Sequence, residues 1–265
     1  MTDREIYPNA PLRFVAFELR MPPTPELAGS EGALPAFEKL REQLPIIAPP
    51  QMTIEISSEG GAPKMMPGPL RLLDRRRVLS SVIGPSAIVV ESTEYSRFED
   101  FAEIIERVLR AVSETAPISG MQRVGLRYID EIRVDGVVNP TDWRGYINPA
   151  LLAQLDLDGE FAARTATGHT EYGVAENQSA HLRFGAMNGR VIDPSGPLRL
   201  RSDELGPFFL IDIDSYWVAP ETELPEFSVE TTLEVCSELR RPVRSLFEAA
   251  ITDKLRDEVL RRAND

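Results

Sequence analysis

Cysteine is almost absent: Cys236 is the only one in 265 residues. That excludes an intrachain disulfide and a zinc site built from several thiolates. Lysine is scarce as well. Lys39, Lys64 and Lys254 stand alone among 29 basic residues, the others being Arg, and histidine is limited to His169 and His181. No G-x-x-x-x-G-K-[ST] loop and no G-x-G-x-x-G fingerprint occurs, so a Walker or Rossmann nucleotide site lacks its phosphate cradle. H-E-x-x-H and Cys/His zinc spacings are missing, so no metal is expected. No G-x-S-x-G elbow offers a serine to either histidine. No stretch approaches the roughly 18 apolar residues that span a bilayer. The first dozen residues, MTDREIYPNAPL, carry no apolar run of the signal-sequence type. The expected setting is a reducing cytoplasm, with no membrane contact and no cofactor.

What is present is an acidic chain able to bury a full core. Hydrophobic residues make up 42% and charged residues 27%, grouped in periodic segments, which argues against global disorder. The net charge is −13. Such a field repels phosphate backbones, so nucleic acid is disfavoured as a partner. A protein is the expected partner, with a second copy of the chain as an alternative.

Leu12 to Met21 reads as a strand, with Val15, Phe17 and Leu19 alternating against Ala16, Glu18 and Arg20. A Pro-rich connector leads to a short helix near Leu34 to Leu44, stopped by Pro45. Met52 to Ile56 is strand-like, and Glu59 to Pro69 is a loop by composition. One or two strands over Leu70 to Ile83 turn at Gly84-Pro85 into a strand over Ser86 to Thr93. Phe98 to Val112 is the clearest helix, its apolar residues forming one stripe. The second half repeats this order. Met121 to Val134 is a strand, a short helix surrounds Pro149 to Leu155, and strands follow near Thr170 to Ala175 and Ala180 to Met187. Asn188-Gly189 is the strongest hairpin signal. Pro207 to Val218 is a further strand. Ser228 caps a helical C-terminus in which Val243, Leu246, Phe247, Ala250, Ile251 and Leu255 keep helical spacing, with Pro242 as a kink or break.

The expected fold is therefore α+β: duplicated β-α-β(3–4)-α units forming antiparallel sheet, with two long helices packed on one face. The halves divide at 1–117 and 118–265 and make one compact unit, a continuous curved sheet or a saddle.

Five segments carry a family resemblance: YPNAPL at 7–12, FELR at 17–20, GLRYID at 125–130, IDIDSY at 211–216 and LFEAAITD at 246–253. In these the chain resembles a sporadically distributed family of uncharacterised prokaryotic proteins of this length, departing from it at Asp130, where the family more often has Asn. The resemblance spans nearly the whole chain and implies a single family-wide unit. It brings no catalytic residue. Its patchy distribution implies horizontal transfer, which fits mobile-element or anti-phage cargo better than core metabolism.

Asp212 and Asp214, two apart on a strand, project to one face and form the strongest polar constellation. Paired carboxylates can share a divalent cation. Arg123 and Arg127 repeat that spacing on another strand of the same sheet, and a cross-strand charge ladder is the preferred reading. Arg71, Arg75, Arg76 and Arg77 form the one dense positive patch, without interleaved aromatics to stack bases. His169 and His181 read as ordinary polar residues, and Cys236 as a buried thiol. Trp143, Tyr146, Tyr216 and Trp217 are candidates to line a pocket or partner surface.

Three functional readings follow. The leading one is a non-enzymatic binding or regulatory module holding a protein partner. The second is a metal-assisted phosphodiesterase or nuclease using Asp212 and Asp214 with Glu91 or Glu176. The third is a nucleic-acid-binding saddle with Arg75 to Arg77 on its concave face.

Overall fold

The computed structural model describes residues 7–49, 52–55, 64–157, 161–192, 195–200 and 204–262. In chain order its elements are β1 (Leu12–Arg20), α1 (Gly29–Gly32), α2 (Leu34–Leu40), β2 (Ile46–Ile47), β3 (Met52–Glu55), β4 (Lys64–Pro67), β5 (Leu70–Leu73), β6 (Leu79–Ile83) and β7 (Ala87–Ser92). These are followed by α3 (Phe98–Ser113), β8 (Arg123–Ile132), β9 (Ala166–Ala175), β10 (Gln178–Gly189), β11 (Gly206–Val218), α4 (Val229–Ala250) and α5 (Asp253–Leu255). The class is α+β, built on one large antiparallel sheet. No helix among the described residues is long and apolar enough to cross a membrane.

Nine strands form the sheet in the order β2-β5-β6-β7-β1-β8-β11-β10-β9, while β3 and β4 pair only with each other. β1 lies beside β7, the last strand of its half, and β8 lies beside β11, the last of its own. From there β7-β6-β5 and β11-β10-β9 run outward as meanders. The halves meet where β1 and β8 pair antiparallel, Phe17 opposite Leu126 and Leu19 opposite Val124. These residues alternate with polar neighbours, so one face of each strand is apolar. Phe17, Leu19, Val124 and Leu126 belong to one continuous core with Phe101, Ile105 and Val108 of α3 and Cys236, Leu239 and Val243 of α4. Burial of such stripes, more than intrinsic propensity, holds the helices in place. α3 also carries Glu99 and Asp100 in its first turn and Arg110 in its last, matching the helix dipole.

Several expectations need correction. Asn188-Gly189 is not a turn: it ends β10, opposite Pro207 and Gly206. The tight turn is Glu176-Asn177, between β9 and β10, where Asn177 takes the left-handed conformation at φ 59°. Asn adopts that conformation more readily than most residues, through local hydrogen bonding. The β10–β11 connection instead crosses to the other half of the sheet. There Leu198 packs with Leu73 and Ala48, and the Arg199 N–H donates to the Arg77 carbonyl at 2.7 Å. Part of the expected loop over Glu59 to Pro69 is β4, held by β3; residues 56–63 lie outside the described ones. Pro149 to Leu155 forms two 3-10 turns rather than one helix.

α4 continues through Pro242 without a break and ends at Ala250. Ile251 is extended and bridges Ile147, because Asn148 donates to the carbonyls of Ala249 and Ala250 and so terminates the helix. Thr252 then caps α5. Trp143 is no surface residue: it is fully buried against Phe209, ring centroids 5.5 Å apart.

Candidate functional site

On the face of the sheet opposite the main core, the paired aspartates and arginines meet. Arg127 lies directly across from Asp214, yet its fork reaches diagonally to Asp212, with Nε and Nη2 each donating at 2.7 Å. Arg123 in turn donates to both oxygens of Asp214, at 3.1 and 2.9 Å, and to Glu18. Gly125 leaves room for this. A Cβ there would sit 2.5 Å from Arg123 Nη1. Arg123 also lies over the Tyr216 ring at 4.6 Å, and the Tyr216 hydroxyl is 3.1 Å from His181 Nε2. Bidentate guanidinium–carboxylate pairs are strong and directional. Both aspartates are therefore committed to arginine. Glu91 binds Arg71 and Ser80, and Glu176 sits in the β9–β10 turn. Among the described residues no group of three or more His, Cys, Asp or Glu could hold a metal.

The remaining predicted residues are dispersed. Arg75, Arg76 and Arg77 occupy the β5–β6 turn, where Asp74 accepts from the backbone N–H groups of Arg76, Val78 and Leu79, and Arg76 pairs with Glu94. Arg71, on the strand proper, is not part of that turn. Trp217 packs partly buried against the core. His169 meets His181 edge to face, with centroids 5.2 Å apart. Cys236 is fully buried, which pushes its thiol pKa well up.

Asp130 aside, the residues that converge on a cavity were not among the candidate site residues. The alternation of β8 puts Val124, Leu126, Tyr128, Asp130 and Ile132 on one face, so a carboxyl points where the others bury apolar surface. Asp130 sits between Leu12 of β1 and Ile211 of β11 and is only 6% exposed. None of the side-chain hydrogen bonds among the described residues reaches it. Burial first, and then the Asp212 charge, push its pKa up from 3.8 to about 8, with Arg13 opposing. At neutral pH it carries its proton.

Asp130 borders a cavity of about 180 Å³. Tyr7, Tyr95 and Tyr128 bring three rings, Val243 and Phe247 add apolar wall, and Arg240 and Arg244 stand at α4. The Tyr7 hydroxyl donates to the Glu248 carboxylate at 3.1 Å, and Arg256 Nε holds the same carboxylate at 3.0 Å. The Tyr95 and Tyr128 hydroxyls are 3.4 Å apart. Desolvation raises the pKa of Tyr128 well above 10, so it remains a neutral phenol. Arg240 lies over Phe98 at 4.8 Å and bonds Glu99 at 3.1 Å.

Residues far apart in the chain meet here: Tyr7, Pro11 and Leu12 from the start, Tyr128 and Asp130 from β8, Phe247 and Glu248 from α4. Two signals in the sequence pointed to the place. One is the apolar phase of β8, broken by Asp130. The other is the run of arginines at 240, 241 and 244 on one helix. No protein-family model matches the chain, and no curated protein matches it.

Proposed function

We propose that the protein is a non-enzymatic binding protein whose recognition site is the tyrosine-lined cavity bordered by Asp130. The observation that carries this reading is the convergence of Tyr7, Tyr95, Tyr128 and the Asp130 carboxyl, its pKa raised by burial, on one preformed hollow. A ligand in the hollow can meet the Asp130 carboxyl. Concave sites with few polar groups on mostly apolar walls are the usual form of small-molecule sites.

The two halves are read as copies of one β-α-β(3)-α unit, with α3 and α4 on the same face of the sheet. Support comes from the matched positions of β7 beside β1 and β11 beside β8. In this reading the cavity occupies one end of the seam between the copies. A sporadically distributed binding protein of this kind suits a regulatory part in mobile or defence gene sets. The nuclease reading is not favoured, since Asp212 and Asp214 are committed to Arg127 and Arg123.

A fragment screen by ligand-observed NMR tests the proposal. Fragments are expected to bind the wild type and to lose binding in Val243→Phe, which fills the cavity. Ala10→Trp, on the exposed rim, gives the same test should Val243→Phe fail to fold. Fragment binding that survives both substitutions, or no binding at all, overturns the reading.

A further inference from the structure

The cavity does not end at its tyrosines. Its Arg240, Arg244 and Glu248 also line a hollow on the outer face of α4, together with Ser237, Arg241 and Ser245. An aromatic recess and a guanidinium-rich ledge thus share one wall. We propose that they form a two-part site for a small ring-bearing organic anion, its ring among the tyrosines and its anionic group on Arg240 and Arg244. This rests on the cavity being a binding site.

Size limits the ring. The recess, at about 180 Å³, falls below the roughly 300–1,000 Å³ of sites for drug-sized ligands, so it suits one ring with few substituents. Charge selects the anion. The chain carries −13 overall, yet Arg240, Arg241 and Arg244 line this ledge together, with Glu248 as its carboxylate. Glu248 is engaged by Tyr7 and Arg256, and Glu99 by Arg240. Arg241 and Arg244 form no ion pair with a described residue. Planar guanidinium groups match the geometry of carboxylate and phosphate. Asp130, holding its proton, offers a hydroxyl donor to a ring substituent and adds no repelling charge. Tyr7, Tyr128 and Tyr95 line the same recess as neutral phenols or bonded hydroxyls.

Two sources supply this chemistry, a free aromatic carboxylate and a pyrimidine nucleotide. Isothermal titration of the full chain at pH 7 with benzoate against benzamide, and UMP against uridine, separates them. At least one anion is expected to bind about tenfold tighter than its neutral partner, the scale of a charge-assisted contact. A preference in the benzoate pair assigns the site to carboxylates, and one in the UMP pair to nucleotides. Arg244→Gln should erase the preference, while Arg241→Gln, outside the recess, should weaken it less. Wild-type affinity should fall as pH is raised through 8, and that of Asp130→Asn should stay level. Equal binding of anion and neutral isostere, a preference that survives Arg244→Gln, or no binding of either anion while fragments still enter the cavity would sink the inference and leave the cavity reading intact.

Discussion

Replacing Asp130 with Asn should stabilise the protein, by an amount that grows with pH. Folded, the Asp130 carboxyl keeps its proton up to about pH 8; unfolded, it releases it near 3.8. Between those values the folded state binds one proton more than the unfolded chain, so stability falls as pH rises. The loss runs at about 1.4 kcal/mol per pH unit, is absent below pH 4 and levels off above pH 8. At pH 7 it amounts to about 4 kcal/mol, and at pH 5 to between about 1 and 2. An amide of nearly the same shape has no such proton to lose. Tyr7 and Tyr128, which line the same cavity, have their pKa values raised from 10 and stay neutral across this range. Urea denaturation of wild type and Asp130→Asn at pH 5, 6, 7 and 8 measures it. The slope of the difference is the prediction, since the offset also includes new amide hydrogen bonds. A difference that stays flat over these four pH values would mean that Asp130 is ionised in the folded protein, and the account of the cavity would fall with it.

Two further outcomes bear on the rest of the molecule. Arg127→Ala should cost about 2–3 kcal/mol, less than a fully buried pair would, because Arg127 is 42% exposed while the Asp212 side chain is 5% exposed and keeps Arg183 at 3.5 Å. A urea midpoint shifted by less than about 0.5 kcal/mol equivalent would contradict the ladder as a structural element. Cys236 should resist a disulfide exchange reagent in the native state and react only at the rate of global unfolding, since burial raises its pKa and denies access. Prompt labelling of the native protein would show that α4 opens locally.

Much of the frame was legible from period alone. Residues two apart on β8 and β11 share a face, and that was enough to foresee arginines and aspartates meeting there. Their diagonal pairing was not, because it depends on a register that residue patterns do not encode. The apolar stripe of α3 announced a helix that runs one residue past its expected end. Asn188-Gly189 misled for a physical reason: a turn dipeptide closes a hairpin only when its flanking strands can fold back at once. Here the chain goes on to pack Leu198 on the far half. The cavity was the least visible feature. Tyr7 and Glu248 are 241 positions apart, and no local pattern links them. Asp130 stood in plain view as an acid in an apolar phase, a conflict of the kind that marks a site more often than an error.

The junction of β1 with β8 has a consequence for any attempt to divide the molecule. Each is an interior strand, hydrogen-bonded on both sides. Expressed alone, either half would present a long open edge with its amides unanswered, a template for pairing with whatever strand comes near. Mixed together, the pieces should zip into the intact sheet. A solitary first half would have its β1 edge open to another β1.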